Sequence, residues 1–149
     1  IVEDDLSGAA IRALLEVHFA GMLANSPAES CHFLDFDGLR ADGVTFWSIH
    51  RGDELAGCGA LKMLGSAHGE IKSMRTAEPF LRQGVAAHML DHIIGVASER
   101  GLERLSLETG SSGAFEPALA LYRRYGFVEC EPFADYRPDP FSHFMTRIL

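Results

Sequence analysis

The run Arg82-Gln83-Gly84-Val85-Ala86 has the composition of an anion site, because it follows a strand-like segment, Glu70 to Thr76, and opens a segment with helical spacing. The first N–H groups of a helix have no intrahelical partner, and the helix dipole adds positive charge at the same end. Gly84 lets the backbone approach a ligand closely and Ala86 keeps the next turn narrow. The amides from Arg82 to Ala87 can then seat a pyrophosphate, with Arg82 adding a cation. Taken alone, the run also reads as an ordinary strand-to-helix turn. Acid–base groups flank it. Strand alternation puts Glu70, Lys72 and Met74 on one face, where Lys72 is a ready ion-pair partner for Glu70. His32 brings an imidazole that titrates near neutrality, although an isolated loop histidine also reads as a surface group.

The elements that must position these groups follow from periodicity. Ile1-Val2-Glu3 ends a first strand, and Ser7 is the expected N-cap of a helix carrying Ile11, Leu14, Leu15, His18, Phe19 and Met22, stopped by Asn25-Ser26-Pro27. Ala28 to Asp42 holds a short second helix before the turn at Asp42-Gly43. Val44 to Ile49, Leu55 to Met63 and Glu70 to Thr76 then form an antiparallel meander, with turns expected at Gly52-Asp53 and His68-Gly69. The next helix turns Val85, His88, Met89, Leu90, Ile93, Ile94 and Ala97 to the core and ends at Gly101. A strand at Leu105 to Thr109, a helix from Glu116 to Tyr125 closed by Gly126, and strands at Phe127 to Cys130 and His143 to Thr146 complete the chain. The expectation is a single α+β domain with a mixed sheet, spanning residues 1–149.

Bulk properties narrow the classes of function. At 149 residues, folding a single domain buries roughly 70% of the surface the unfolded chain exposes. Hydrophobic residues make up 47% and charged residues 23%, with no run near the roughly 20 apolar residues of a membrane span. The net charge of −8 argues against nucleic acid or anionic lipid as partners, which need clustered Lys and Arg. Cys31, Cys58 and Cys130 are odd in number and have neither metal-ligand spacing nor a disulfide framework. No metal is expected, and the expected location is the cytoplasm.

From Glu70 through Phe127 the sequence resembles the GNAT acetyltransferase superfamily. The window Leu81-Arg82-Gln83-Gly84-Val85-Ala86 is similar to that superfamily's acetyl-CoA motif at Gly84 and Ala86, with Leu81 where Gln or Arg is usual. The stretch Ala118-Leu119-Ala120-Leu121-Tyr122-Arg123-Arg124-Tyr125-Gly126-Phe127 resembles a second signature at the family's spacing. More narrowly, the whole chain resembles a bacterial branch of small-molecule acetyltransferases of the YsnE type. The matching stretches are Ser26-Pro27-Ala28-Glu29-Ser30 with His32, Thr45-Phe46-Trp47-Ser48, Glu70 to Thr76, and Tyr136 to Met145.

The resemblance implies a GNAT fold, with a mixed central sheet of about six to seven strands and about four helices. Its N-terminal part is an antiparallel meander, and a splayed parallel pair receives CoA. It implies acetyl-CoA as co-substrate and direct attack of a small-molecule amine on the thioester, through a tetrahedral intermediate. Leu81, Arg82, Gln83, Gly84, Val85, Ala86 and Ala87 would hold the pyrophosphate, while the backbones of Met74 and Thr76 would pair with the pantetheine. Tyr122 would be the acid for the departing thiolate, a phenol of ordinary pKa near 10 being a suitable proton source. Glu70 leads the candidates for the base, with Glu108 and His32 as competitors. His32, Trp47 and Arg75 are the candidate acceptor-binding residues, Arg75 or Arg137 supplying charge for a substrate carboxylate. Phe46, Trp47, Phe141 and Phe144 otherwise read as core. A homodimer is compatible with the family. A catalytically silent acyl-CoA sensor and a protein N-terminal or lysine acetyltransferase are the alternatives; the presence of Tyr122, Glu70 and Glu108 favours an enzyme over the sensor, and the loop from Ser26 to Leu39 suggests an enclosed site rather than one for a protein acceptor.

Overall fold

The computed structural model describes residues 1–30 and 34–149. In chain order the described residues form β1 (Val2–Glu3), α1 (Ala9–Asn25), α2 (Phe36–Leu39), β2 (Val44–Arg51), β3 (Glu54–Met63), β4 (His68–Thr76), α3 (Val85–Glu99), β5 (Arg104–Gly110), α4 (Glu116–Arg124), β6 (Val128–Glu129) and β7 (Ser142–Ile148). The strands make a seven-stranded sheet in the order β1-β2-β3-β4-β5-β7-β6. Every neighbouring pair is antiparallel except β4–β5, which is parallel. This is the α+β architecture expected from the sequence, with the N-terminal meander on one side and the single parallel pair near the middle.

Two cores lie on opposite faces of this sheet, and β-strand alternation assigns each side chain to one of them. On one face α3 and α4 bury Met89, Leu90, Ile93, Leu119 and Tyr122 against Trp47, Leu61, Ile71, Leu105 and Leu107. On the other, α1 packs Ile11, Leu14 and Leu15 with Leu6, Phe46, Cys58 and Ala60. The apolar stripes read from the sequence are the ones buried, with one exception on α3. His88 is exposed, since it stands one position outside the stripe set by Val85, Met89 and Ile93.

Three further expectations are corrected by the backbone. The N-cap of α1 is Gly8 rather than Ser7, whose hydroxyl instead donates to Asp5 Oδ1 at 2.6 Å in a tight preceding turn. His68 and Gly69 do not form the turn before β4. Both already belong to the strand, because Gly69 pairs with Met63 and packs tightly among Leu61, Leu102 and Leu105, with no room for a Cβ. Lastly, Met74 does not share a face with Glu70 and Lys72. Lys72 is opposite Ala60 and Arg75 opposite Cys58, so Ser73 and Met74 together face Gly59 and β4 carries a bulge. Ser73 takes φ +56° there, and the extra residue reverses the alternation beyond it. Met74 consequently packs on the α3 side, where its sulfur lies beside Gly59, while Arg75 is thrown to the α1 side.

Candidate active site

β4 and β5 are joined through the register pairs His68↔Arg104, Gly69↔Leu105 and Glu70↔Ser106, and then part. β4 continues to Thr76 with β3 as its other neighbour, and β5 continues to Gly110 with β7. Between the two diverging strands opens a cavity of about 190 Å³ lined from both faces of the sheet. Ile71, Leu107, Ala118 and Tyr122 line it from the α3–α4 side, and His18, Lys72, Arg75 and Glu108 from the α1 side. Beyond Glu70, no strand among the described residues pairs with the β5-facing edge of β4. An extended ligand can occupy such an edge as an added strand, and Met74 and Thr76 lie on this stretch.

Tyr122 is 6% exposed, its ring meeting Phe127 edge-on, and burial raises its phenol well above the ordinary value. It therefore keeps its proton at neutral pH and is available as a proton donor. Glu108 reaches the same cavity and accepts a hydrogen bond from Ser142 Oγ at 2.8 Å. Glu70 does not open into this cavity. It is 2% exposed, and its Oε2 receives Lys72 Nζ at 3.1 Å and the Tyr136 hydroxyl at 2.5 Å. Burial, and then the neighbouring Glu70 carboxylate, raise the Tyr136 phenol far above its usual range. Together with Glu29, Lys62, Arg137 and Asp139, this trio lines a second cavity of about 520 Å³, and Lys72 borders both spaces.

The loop before α3 has the local geometry its composition suggests. Gly84 is the N-cap, in the left-handed conformation at φ +82°, and a Cβ there would meet nothing within 4 Å. Arg82 is left-handed as well, at φ +61°. The helix begins with the bond from His88 N–H to Gly84 O at 3.0 Å, so the preceding amides have no partner within α3. Leu81, Arg82, Gln83 and Gly84 are exposed, whereas Val85 is buried and Ala86 and Ala87 are half-buried against the core. The Gln83 side chain is turned back to Pro79 O and receives Arg51, whose guanidinium also lies over the Phe80 ring. Arg51 is thus a second cation at this loop, unforeseen because it belongs to a hairpin more than thirty positions away. The arrangement fits a diphosphate on chemical grounds: a helix start whose first amides have no partner within α3, open space at Gly84, Arg82 in the loop itself and Arg51 beside Gln83.

Trp47, a candidate acceptor residue, is brought to neither cavity. It is 4% exposed in the α3-side core, with its ring 5.0 Å from that of His92, because it falls on the opposite phase of β2 from Phe46. His32 lies outside the described residues. Arg75 does line the first cavity. The sequence reading missed His18, which sat unremarked in the apolar stripe of α1, and Tyr136, whose partner Glu70 is 66 positions away. His18 is 7% exposed, its Nδ1 is buried without a partner among the described residues, and burial followed by the charge of Arg75 lowers its pKa to about 4. A polar side chain on the buried face of α1 was the one available signal for it. Cys58, packed between α1 and the sheet, has its thiol pushed up to about 12 by burial, which makes it an inert core residue. Among the described residues, no cluster of three His, Cys, Asp or Glu side chains is placed to hold a metal, and no helix is long and apolar enough to cross a membrane.

Comparison with known proteins agrees with this geometry. The model of the acetyltransferase (GNAT) family matches residues 10–127. The chain is 57% identical over 146 residues to the uncharacterized N-acetyltransferase YsnE of Bacillus subtilis (strain 168), covering 98% of this chain and 97% of that protein. It is 54% identical over 149 residues to the uncharacterized N-acetyltransferase YedL of Escherichia coli (strain K12), covering 100% and 94%. Among solved structures, a GNAT family acetyltransferase from Elizabethkingia anophelis with acetyl-CoA bound superposes with a TM-score of 0.69 at 19% identity, covering 99% of this chain and 96% of that one. The parted β4–β5 pair, the helix start at Gly84 and these matches have one reading: the chain is an acyltransferase that belongs to the GNAT acetyltransferase family, in the branch of YsnE and YedL.

Proposed function

We propose that the chain moves an acetyl group from acetyl-CoA to the amine of a small molecule by direct attack. The observation that carries this reading is the cavity between β4 and β5, which brings Tyr122 and Glu108 to one space open to both faces of the sheet. In this reading the diphosphate of acetyl-CoA rests on the amides from Arg82 to Ala87, and the pantetheine lies along the unpaired edge of β4 at Met74 and Thr76. The acceptor enters from the α1 side.

Each residue then has a defined task. Glu108 takes the proton from the attacking nitrogen as the N–C bond forms. The C–S bond breaks, and Tyr122 gives its proton to the departing thiolate; burial makes the phenol a weaker acid and, in the same water-poor space, makes the thiolate a stronger base, so the two effects offset. Solvent resets the two groups. Glu70 and Tyr136 hold Lys72 at the border of the two cavities. Support for Glu108 over Glu70 as the base is that Glu108 shares a cavity with Tyr122, whereas Glu70 already accepts two strong hydrogen bonds.

The test is acceptor-dependent release of free CoA thiol from acetyl-CoA across a panel of small amines, with the product identified by its mass. The reading expects acetylated product, with Glu108→Gln losing about 100-fold or more in kcat. Binding of acetyl-CoA without turnover of any amine would contradict it and favour a sensor.

A further inference from the structure

Resting on that reading, we infer that the acceptor is a small amino carboxylate, with Arg75 and His18 binding its carboxylate on the α1 wall while its amine faces Glu108. Three observations converge on this placement. The bulge at Ser73 and Met74 sends Arg75 to the α1 side of the sheet, where its guanidinium lies against Gly21 of α1; a Cβ at Gly21 would come within 3.2 Å of Nη2. The helix has a gap at that point, and the guanidinium fills it. Among the described residues the Arg75 guanidinium makes no ion pair and no hydrogen bond, although the residue is half-buried at the edge of the cavity. A guanidinium withdrawn from water without a counter-charge is costly, and an anionic ligand removes that cost.

One turn earlier on α1, His18 lines the same cavity with an unpartnered, buried Nδ1. The tautomer with hydrogen on Nδ1 offers a carboxylate oxygen a second donor beside the guanidinium. Burial and the charge of Arg75 both keep the imidazole neutral, so its role is to donate a hydrogen bond and not to add charge. Glu108 supplies the opposite sign on the facing strand. A ligand with one carboxylate and one amine matches this separation of charge, and the amine end is then the one delivered to the base. The chain as a whole carries −8, so two cations, Lys72 and Arg75, on the wall of this cavity run against its general character. The phosphates of the donor do not account for Arg75, because Gly84 and the start of α3 lie on the other face of the sheet. A volume of about 190 Å³ suits a small side chain, with Met22 and Phe115 as its apolar neighbours.

The experiment uses the full chain saturated with CoA and matched pairs of ligands: standard α-amino acids, each paired with the amine that lacks its carboxylate. Binding is followed by calorimetry. The amino acid of at least one pair is expected to bind about 10-fold or more tightly than its amine, as for a charge-assisted contact. Arg75→Gln is expected to bring that ratio to near one, Arg75→Lys to restore part of it, and His18→Phe to reduce it. The retained thermal shift of each variant with acetyl-CoA reports that the fold is intact. Equal binding within every pair, no binding of any amino acid, or equal weakening of both members by Arg75→Gln overturns the inference. Turnover of the same panel is scored separately. Arg75-dependent binding without acetylated product would refute acetyl transfer and leave the carboxylate site standing, whereas efficient acetylation of the amines alone would do the reverse.

Discussion

Glu70 of β4 and Ser106 of β5 are register partners at the point where the two strands part. The same glutamate ends the shared ladder and anchors Lys72 and Tyr136, so one buried side chain fixes the base of the cavity from below. Replacement by Gln keeps the shape but weakens the hold on an ammonium whose side chain is 8% exposed. Glu70→Gln is expected to cost about 2 kcal/mol of stability, since a buried charge loses its formal counter-charge but keeps a hydrogen-bonding neighbour. Urea unfolding measures it. A loss below about 0.5 kcal/mol together with a collapse of kcat would make Glu70 the base instead.

The loop before α3 separates backbone strain from charge. Gly84→Ala forces a side chain into a left-handed conformation with open space around it, so its cost is conformational, about 1 kcal/mol. Arg82→Ala leaves an exposed position, with stability within about 0.5 kcal/mol of the parent. It is nevertheless expected to weaken acetyl-CoA binding several-fold at low salt and less at high salt. Thermal shifts with and without acetyl-CoA at two ionic strengths distinguish these effects. Unchanged binding in Arg82→Ala would remove that residue from the donor site.

His18 makes stability depend on pH in a predictable direction. The unfolded chain takes up a proton at this imidazole below its ordinary value of 6.5, while the folded chain resists protonation down to about 4. Stability is therefore fully present above pH 6.5 and falls as pH drops through that window, by about 3 kcal/mol at most from this group. His18→Gln is expected to flatten the slope of unfolding free energy between pH 6.5 and 4. His68 and His92, whose values are also lowered by burial, leave a residual slope. An unchanged slope in His18→Gln would show that the imidazole already titrates in the folded chain.

Periodicity and turn chemistry were enough to read the order of strands and helices, and Gly84 marked the helix start that we propose as the donor loop. Residue-level orientation was less accessible. The bulge at Ser73 has no sequence mark, because Ser is an unremarkable strand residue until its φ is known to be positive, and it alone decides that Met74 and Arg75 exchange faces. His18 was legible as a buried position but not as a cavity wall, since the parting of β4 from β5 above it depends on contacts distant in sequence. Tyr136 was hidden for the same reason. Trp47 was misplaced because strand alternation fixes which residues share a face but not which face looks toward the cavity.

In the reaction we propose, acetyl transfer takes place where β4 and β5 part, with Tyr122 as the proton donor. The most direct measurement is the pH profile of kcat for Tyr122→Phe against the parent chain, with the KM for acetyl-CoA determined in parallel. The expected result is a fall of about 100-fold in kcat while that KM changes little, since the phenol acts on the leaving group and not on the diphosphate. Full kcat in Tyr122→Phe at every pH would contradict the account.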